Sequence, residues 1–495
     1  MQLWRTVGLG GFDLGIFDQG IRAYAHLRLP YSEIKNYHHE FPPDFSLLGD
    51  HFSPILALLA PLYWIWDDPR VLILAQSALF AVGVPFMRRI ALRSFTHADE
   101  GTRERVAGFA AFIYALGWPL LVAARNGFHE VAFAVPLTLI LLERGLARRY
   151  GTVFICAMLL CLTKEDLGLV VGVYGAVLLW RTRRGQNMRA RVTGTALLVC
   201  GPLLSMVSIG VLVPAMGGPR GYYWSYGDLA NSFGSLAARA ITDPLAFIAV
   251  AFSTPVKAGL ILWLLGTLLF LPIGSATSLC ALPLIAERVL SNNPNHWSLI
   301  HHYDAFVWPI LLTASVETAA RLHRSTQRRG TQRRRGFAVG SAATTVLNTA
   351  IAGFFGLVTL FSPHHWTRSE VRQQLVAAAQ RVPDGVTVEA DNNVAPRLTS
   401  RTHVVILDEH PRGAEYVVMQ TSELTFPFTT TERLKQRQKV LLDNGYRRIW
   451  SQGSAVLLRR VHRQTAVPGT RIPGPHSKPV KDVPATDLGK NLFSG

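Results

Sequence analysis

The chain has 495 residues, of which 49% are hydrophobic and 17% are charged, and this is more apolar sequence than the core of a soluble protein of this size needs. The formal net charge is +18, but the basic residues cluster in short gaps between apolar runs, which is typical of the cytoplasmic loops of a membrane protein and not of a nucleic-acid-binding face. All four cysteines lie inside apolar runs, so no disulfide framework is predicted.

The chain opens with a glycine-rich stretch, GGFDLGIFDQG at 10–20, that holds two aspartates. Asp13 precedes a predicted helix over 14–28, where it can act as an N-cap. Asp18 lies four residues before Arg22, which is the spacing of an ordinary helical salt bridge. These residues alone favour that structural explanation over an acidic active site.

Residues 1–68 are predicted to form an extracytoplasmic first loop with interfacial helices. The apolar run 52–66 is short and contains two prolines, so we expect it to lie along the outer membrane surface rather than to cross it. About a dozen residues precede Asp13, too few for a membrane-crossing helix, so the pattern also predicts that a first transmembrane helix is missing from this chain.

A transmembrane helical domain is predicted over residues 69–361. A helix needs about 17 to 25 apolar residues to cross a bilayer, and several runs are close to this length. They lie at 70–92, 106–124, 129–146, 192–214, 256–272, 275–290, 303–320 and 337–361. Two shorter runs, 150–163 and 167–181, flank the charged tetrapeptide TKED and are interpreted as two further spans, which gives about ten in total.

Clusters of Arg and Lys predict the orientation of these spans. The positive-inside rule assigns the clusters to the cytoplasm, at 88–105, 144–149, 181–191 and 321–335. The alternate loops then lie on the outer side. The protein is therefore predicted to be a multi-pass protein of the plasma membrane.

The unusual polar clusters all fall on that outer side. Each cluster on its own has a structural explanation, as an interfacial histidine, a polar helix start or a loop with internal ion pairs. Ionisable groups at a membrane boundary are energetically costly, however, and the convergence of these clusters on one surface favours a functional site. The candidates for substrate binding are His51, His129, Glu130, Lys164, Glu165, Asp166, Arg288, His301, His302, Tyr303 and Asp304.

The composition changes after the last predicted span. Residues 362–463 alternate helix-like patterns, SEVRQQLVAAAQRV and TERLKQRQKVLLDNG, with strand-like patterns, VTVEA, HVVILD and EYVVMQ, and they end in a hairpin-like stretch, RIWSQGSAVLLRR. This pattern predicts an extracytoplasmic α/β domain. The segment 464–495 is rich in Pro, Gly and polar residues and is predicted to be disordered.

Several motifs of this chain resemble an uncharacterised bacterial family of predicted membrane proteins, domain of unknown function 2079. In order they are GGFDLGIFDQ, GDHFSPI, FHEVAFAVPL, KEDLGL and HHYDA, followed by VPDGVTVEADNNVAPRLTSR, and the resemblance covers roughly residues 10–460. That family is in turn distantly similar to the GT-C superfamily of polytopic glycosyltransferases, such as the protein mannosyltransferases and the aminoarabinose transferases of lipid A. The resemblance implies a GT-C-like helical membrane fold with an outer C-terminal domain.

The same resemblance implies roles for individual residues. In GT-C enzymes an acidic residue of the first outer loop acts as a base or a metal ligand, and Asp13 corresponds best to it, with Asp18 second. A cation near the outer helix ends binds the lipid phosphate there, a role that Lys164 or Arg288 would fill. The missing first helix is the main departure from the superfamily pattern.

Together these features predict a membrane glycosyltransferase that moves a sugar from a polyprenyl-phosphate donor to an extracytoplasmic cell-envelope acceptor, with Asp13 as the base. A divalent cation, Mg, Mn or Zn, is an open prediction, with Asp13 and His51 as candidate ligands. Membrane lipid is an expected partner and nucleic acid is not. Two alternatives stay open: a transporter or flippase of a lipid-linked or charged small molecule, and a non-catalytic envelope scaffold.

Overall fold

The computed structural model of the chain is mostly helical, with one small sheet near the C-terminus. It describes residues 1–461 apart from 186, 220, 222–223, 328–339, 341–342, 345 and 411. The predicted disordered tail at 464–495 lies outside the described residues, as do parts of the basic segment 321–335 and of the predicted span 337–361.

The N-terminal region consists of short helical elements, because prolines interrupt it repeatedly and each removes a backbone donor. The elements are α1 Gln2–Arg5, a π-helical turn Gly11–Gly15, α2 Ile16–Ala25, α3 Glu33–His38, 3₁₀ turns Leu47–Gly49 and Pro54–Leu59, and α4 Ala60–Ile65. The helix predicted over 14–28 is therefore present, although its first residues belong to the π-helical turn and it ends at Ala25.

The apolar run 52–66 leaves large hydrophobic side chains uncovered. Leu58 is 63% exposed, Trp64 65% and Ile65 84%, and Leu27 of the preceding loop is 89% exposed. The Trp64 indole donates a hydrogen bond to the carbonyl of Ala25, 2.8 Å away, so the two exposed segments are tied together. A surface of this kind needs an apolar partner, and a membrane interface is one such partner; the position of the run in the outer interface stays a prediction.

The exposure of Ile65 leads to a labelling prediction. In a variant without the four native cysteines, Ile65→Cys in a bilayer should react about tenfold more slowly with a water-soluble maleimide than Ile449→Cys, because a thiol in lipid stays protonated. Ile449 is a matched control, since it is also an exposed isoleucine (51%) but lies in the C-terminal sheet. Reaction rates measured by mass shift would decide, and equal rates would contradict the interfacial position of Ile65.

The middle of the chain forms a bundle of helices. These are α5 Arg70–Ser94, α6 Glu100–Ala115, α7 Trp118–Arg125, α8 Val131–Leu146, α9 Tyr150–Cys161, α10 Leu167–Thr182, α11 Met188–Val207, α12 Val213–Ala215, α13 Phe233–Thr242, α14 Pro244–Ala251, α15 Pro255–Gly266, α16 Leu282–Leu290, α17 Pro294–Trp297 and α18 Asp304–Gln327. Beyond the gap at 328–339, helical structure continues at Val346–Phe361.

Within the described residues, four helical segments are long and apolar enough to cross a membrane. They are Arg70–Ser94, Glu100–Arg125, Met188–Ala215 and Asp304–Ser325. Two sharply bent helix pairs raise this number to six if each pair is one span. The protein thus has several candidate spans, and the count of about ten stays a prediction.

Two of the predicted runs are not single helices. In the run 256–272, α15 ends at Gly266, and a 3₁₀ turn follows at Leu271–Gly274. The run 275–290 begins with a 3₁₀ segment, Ala276–Ala281, and only then continues as α16. In the first run, Leu269 and Phe270 have positive φ, which ends the helix before Pro272 is reached; in the second run, Pro283 lies in the first turn of α16. Hydropathy registers neither feature.

Helices α10 and α11 approach closely through glycines, and this packing fixes the loop before α10. Gly168 and Gly172 are four residues apart on one face of α10, as in a GxxxG pattern. A Cβ atom on Gly168 would lie 2.2 Å from the carbonyl oxygen of Gly201 in α11, so no larger residue fits there. The charged loop 163–166 therefore leads directly into a closely packed helix pair.

Some of the predicted cytoplasmic arginines tie helices together. Glu143 of α8 is fully buried and pairs with Arg93 of α5 at 2.6 Å and with Arg144 at 3.1 Å. Arg181 of α10 pairs with Glu317 of α18 at 2.7 Å. Some of the arginines that give the chain its net positive charge therefore neutralise buried carboxylates and do not face lipid headgroups.

The C-terminal region has the elements that the sequence predicts. They are α19 Glu370–Gln380, β1 Thr387–Ala390, β2 His403–Ile406, β3 Tyr416–Met419, α20 Thr431–Asp443, β4 Tyr446–Gln452 and β5 Ala455–Arg460. The strands form one sheet in the order β2-β1-β3-β5-β4, in which β1 is parallel to β2 and β3 and the β4–β5 hairpin is antiparallel.

The core on one face of this sheet includes residues from the N-terminal region. Val7, Ile16 and Ile34 are buried in the same cluster as Leu375 of α19 and Val388 of β1. From the sequence, 1–68 and the C-terminal domain are predicted to be separate units, but in the structure the two share one hydrophobic core. Apolar contacts of this kind exclude water and hold the N-terminal segment against the sheet.

Candidate functional site

A cavity of about 270 Å³ lies between the N-terminal region and the ends of α8, α10, α16 and α18. Most of the sequence candidates line it, and they come from six separate parts of the chain. These are Asp13, His51, His129, Glu130, Lys164, Glu165, Asp166, Arg288, His302 and Tyr303. Asp18, His301 and Asp304 do not line this cavity.

Asp13 is part of the π-helical turn Gly11–Gly15 and faces the cavity with 44% of its side chain exposed. Its carboxylate Oδ1 lies 3.4 Å from Nε2 of His129. The His129 ring in turn stacks on His302, with ring centroids 3.7 Å apart. A partly exposed carboxylate beside a buried imidazole has a fixed neighbour on one side and space for a ligand on the other.

Asp18 has the structural role that its spacing favours. Its side chain is fully buried and forms a two-pronged salt bridge with Arg22, at 2.7 and 3.1 Å, and it accepts a hydrogen bond from the Tyr63 hydroxyl at 2.7 Å. Burial raises the pKa of Asp18, although the Arg22 charge opposes the change. The structure does not bring Asp18, predicted as a second catalytic residue, to the cavity, because its carboxylate is held by Arg22 and by Tyr63 of α4.

Lys164 contributes a buried cation to the cavity wall. Its Nζ lies 2.7 Å from Oδ2 of Asp166 and 4.0 Å from Oε1 of Glu287, and it is 5.7 Å from the centre of the Phe306 ring. Burial lowers the pKa of Lys164, but the surrounding carboxylates outweigh burial and raise it well above its usual range. Lys164 therefore stays charged at any physiological pH.

His51 and Glu165 form an ion pair across two loops. Nδ1 of His51 is 2.7 Å from Oε1 of Glu165, and the backbone N–H of Phe52 donates to Oε2 at 3.0 Å. Burial lowers the pKa of His51, but the Glu165 charge outweighs it and raises this pKa to about 9. For Glu165, burial raises the pKa, and His51 outweighs burial and lowers it to about 2.

This pair predicts a loss of stability at alkaline pH. The raised pKa of His51 means that the pair contributes fully below pH 6.5, the ordinary value, and is lost as the pH rises through about 9. The lowered pKa of Glu165 makes the pair lose stability at acidic pH as well. This loss begins below pH 4.5, the ordinary value, and is complete once the pH has fallen through about 2. Thermal melting between about pH 6 and about pH 10 should therefore lower the Tm of the wild type more than that of His51→Gln.

His51→Gln serves as its own control for the other groups that titrate in this range. A Tm decrease of the same size in both proteins would contradict the ion pair. Because 35% of the His51 side chain is exposed, solvent screens the pair, and we expect a moderate difference in Tm rather than a collapse of the fold.

Arg288 and Asp304 form a buried pair beside the cavity, with side-chain exposures of 5% and 0%. The Arg288 Nε–H also donates to the carbonyl of His296 at 2.7 Å, and its guanidinium lies 5.9 Å from the centre of the Tyr303 ring. Arg288 thus orders the loop 291–303 that carries His302 and Tyr303. Asp304 does not line the cavity, and it influences the cavity only by pairing with Arg288.

Burial keeps the histidines of this loop neutral. It lowers the pKa of His296 to about 4, lowers that of His302 well below its usual range, and lowers that of His301 as well. Burial also raises the pKa of Tyr303 to about 12. His296, His302 and Tyr303 line the cavity and therefore present neutral donors and acceptors to a ligand, while the charges come from other parts of the wall.

Several cavity residues were not identified as site residues from the sequence. Lys35 and Asp50 form an ion pair at 3.0 Å with little exposure, and His39 and Glu287 also line the wall. Asp50 and Glu287 each adjoin a residue that was identified, which is a usable signal. Lys35 and His39 lie in an ordinary-looking helical stretch, and only the tertiary structure brings them to the cavity.

The predicted metal ligands Asp13 and His51 both line the cavity but have different partners, His129 and Glu165. Among the described residues, no group of three or more His, Cys, Asp or Glu side chains is arranged to hold a metal ion. Zinc sites use three or four protein ligands, which these residues do not supply, whereas Mg²⁺ can bind through one or two carboxylates and a substrate phosphate, so a divalent cation stays a prediction.

The fold and the cavity define a helical membrane protein with a charged cavity at one end of its helix bundle. The family described as "Predicted membrane protein (DUF2079)" matches residues 5–456, and the chain belongs to this family. Among solved structures, ArnT from Cupriavidus metallidurans in the apo state covers 96% of this chain and 97% of its own, with 13% sequence identity and a TM-score of 0.49. No curated protein matches the chain.

Proposed function

We propose that this protein is a membrane glycosyltransferase that moves a sugar from a polyprenyl-phosphate donor to a hydroxyl group of an extracytoplasmic envelope acceptor. The observation that carries the proposal is the half-exposed carboxylate of Asp13 in a cavity whose wall also holds the buried ammonium of Lys164. Transfer from a lipid phosphate needs a base for the attacking hydroxyl and a cation for the departing phosphate.

Asp13 is the proposed base. In the transfer, the acceptor oxygen forms a bond to the anomeric carbon while the bond from that carbon to the phosphate oxygen breaks, and the hydroxyl proton passes to the Asp13 carboxylate. The attack comes from the face opposite the leaving group, so the configuration at the anomeric carbon inverts. His129, 3.4 Å from Asp13, orients the carboxylate.

Lys164 is the proposed partner of the leaving phosphate, which gains negative charge as its bond to the sugar breaks. A cation already fixed in the wall stabilises this charge without reorganisation. Asp166 and Glu287 hold the ammonium in place. Arg288 contributes a second positive group to the same wall, although its charge is largely matched by Asp304.

A small apolar cavity adjoins the polar one. It has a volume of about 50 Å³, is lined mainly by apolar side chains, and shares five of its lining residues with the polar cavity. Leu56 of the 3₁₀ turn in the predicted interfacial run is part of its wall. Since this volume holds only a few water molecules, it gives the polar cavity an apolar edge and is not a site for a whole lipid tail.

The test is a transfer assay on the purified full chain in lipid nanodiscs. A panel of radiolabelled polyprenyl-phosphate hexoses and pentoses is incubated with cell-envelope acceptors, and label in the acceptor is counted. We expect transfer from at least one donor, and a decrease of roughly 10²–10³-fold in kcat for Lys164→Met. Lys439→Met, an exposed lysine of α20, is the matched control and should keep full activity.

Two outcomes would contradict the proposal. One is an absence of transfer from every donor, and the other is transfer that Lys164→Met leaves unchanged. A protein that moves labelled donor across a proteoliposome membrane without forming a new glycosidic bond would instead be a transporter. Lys164→Arg, which keeps the charge beside Asp166, should retain more activity than Lys164→Met.

A further inference from the structure

The carboxyl ends of the parallel strands in the C-terminal sheet lie against another part of the same chain. In open α/β sheets this edge is where ligands usually bind. The loop after β1, Asp391 to Asn393, occupies this edge. Here it contacts the glycine-rich turn Gly11–Gly15, which carries Asp13.

Asn392 makes two hydrogen bonds to this turn. Its backbone carbonyl accepts from the N–H of Gly11 at 2.8 Å, and its side-chain Oδ1 accepts from the N–H of Phe12 at 2.9 Å. Phe12 directly precedes Asp13 in the sequence. The two N–H groups belong to the first residues of a helical turn, where no intrahelical acceptor is available, so Asn392 takes the place of a helix cap.

The two glycines before Phe12 allow this close approach. A Cβ atom on Gly10 would lie 2.5 Å from Nδ2 of Asn392, and one on Gly11 would lie 2.7 Å from Cβ of Ala395. Neither position has room for a side chain. Because Gly10 and Gly11 have no side chains, the motif GGFDLG can lie directly against the surface of the C-terminal domain.

The loop that carries Asn392 is itself rigid. Asp391 is buried, and its Oδ1 accepts from the N–H of Asn393 at 2.9 Å and from the hydroxyl of Thr425 at 3.1 Å. Its backbone N–H donates to the carbonyl of Val418 in β3 at 2.8 Å. The position of Asn392 is thus set by the sheet and not by the segment that it binds.

Contacts beyond this turn extend the interface along α2. Arg22 donates to the carbonyl of Thr399 at 3.0 Å, and Gln19 donates to the carbonyl of Val404 at 3.2 Å. The shared apolar core adds Ile16 to the same surface. The N-terminal segment is therefore bound on both sides of Asp13.

We propose that the C-terminal α/β domain acts as an intramolecular clamp, with Asn392 as a positioning residue that sets the direction of the Asp13 carboxylate. Its ligand is the chain's own N-terminal segment, not an acceptor or a separate partner protein. The clamp itself is independent of the proposed function. Its effect on turnover rests on that function, because it acts through Asp13.

Hydrogen–deuterium exchange of the full chain in nanodiscs tests the clamp without an activity assay. Asn392→Ala should speed exchange of the Phe12 amide about tenfold, because it removes the Oδ1 acceptor, whereas the Gly11 amide keeps its backbone acceptor and should change less. Asn393→Ala is the matched control, since it is the neighbouring asparagine and only its backbone contacts Asp391. Peptides from β2 and β3 should exchange as in the wild type in both variants.

Two further variants keep the clamp testable if Asn392→Ala disturbs the whole domain. Asn392→Asp keeps an Oδ1 acceptor and should retain wild-type protection. Gly10→Ala forces the turn away from Asn392 and should speed the same two amides. Unchanged exchange at Gly11 and Phe12 in both Asn392→Ala and Gly10→Ala, or an equal effect of Asn393→Ala, would overturn the clamp.

Transfer kinetics separate the clamp from the proposed function. If transfer occurs, Asn392→Ala should lower kcat about tenfold with little change in KM, and Asn392→Asp should restore it, because only the base is misplaced. Wild-type protein that transfers no sugar but shows the expected exchange pattern would overturn the proposed function and support the clamp. Unchanged kcat with faster exchange would overturn the positioning role.

Discussion

Asp13→Asn should lower kcat for sugar transfer by roughly 10²–10⁴-fold, the usual contribution of a positioned general base. The amide has the same shape as the carboxylate but cannot accept the proton of the attacking hydroxyl. Because Asp13 is 44% exposed and its contact with His129 is 3.4 Å long, the substitution leaves no buried charge unpaired. We therefore expect a Tm within about 1 °C of the wild type, in line with a change of a few tenths of a kcal/mol.

Asp44→Asn is the matched control, since Asp44 is an exposed aspartate of the same N-terminal region that does not line the cavity. It should transfer sugar at the wild-type rate. Measurement of initial rates at saturating donor separates the two variants. Full activity of Asp13→Asn would remove the base from the mechanism, and equal loss in Asp44→Asn would indicate a general effect of charge.

Arg437→Met should lower the free energy of opening of the C-terminal domain by about 3–5 kcal/mol, because it leaves a buried carboxylate without its partner. Arg437 and Glu389 are only 2% and 0% exposed, and their atoms Nη2 and Oε2 lie 2.5 Å apart. The Arg437 Nε–H also donates to the carbonyl of Asp408 at 2.8 Å, so the guanidinium joins α20 to the loop after β2.

Exchange of the β3 amides reports this free energy, since their opening requires the sheet to separate. Arg433→Met is the control, because Arg433 lies four residues earlier on α20 and its pair with Glu409 is about half exposed. It should cost at most about 1 kcal/mol. An equal effect of both substitutions would show that the buried pair is no more important than the surface pair.

The double variant Glu389→Gln with Arg437→Met separates two physical causes. If the loss in Arg437→Met comes from an unpaired charge, removing the charge of Glu389 should recover a large part of the stability. If it comes from lost packing of the arginine stem, the double variant should be no more stable than the single one.

The order of elements was predictable where a pattern is local. The strands at VTVEA, HVVILD and EYVVMQ and the helix at TERLKQRQKVLLDNG occur as predicted because alternation and helical periodicity are properties of neighbouring residues. The runs 256–272 and 275–290 were less predictable. Hydropathy measures how apolar a segment is and does not register the positive φ angles of Leu269 and Phe270 or the 3₁₀ segment Ala276–Ala281, so continuous spans were expected where the structure has breaks.

The candidate site was predictable in part. The motifs around His51, His129 and Lys164 identify residues that do meet in one cavity, because the topology brings these helix ends together at one end of the bundle. The sequence favoured Asp13 over Asp18 as the base, from its position at the start of the helix and from the resemblance, but it kept both as site residues. The structure separates them by direction: Asp13 faces the cavity, and Asp18 pairs with Arg22 and Tyr63.

The sequence by itself determined the membrane class, the α/β character of the C-terminal region and most of the charged residues of the cavity, because hydropathy, periodicity and charge are local properties of the chain. Tertiary structure alone decided which aspartate faces the cavity, that Lys35 and His39 join its wall, and that the C-terminal domain binds the turn that carries Asp13. These features depend on contacts between residues up to about 380 positions apart, for which no local pattern exists.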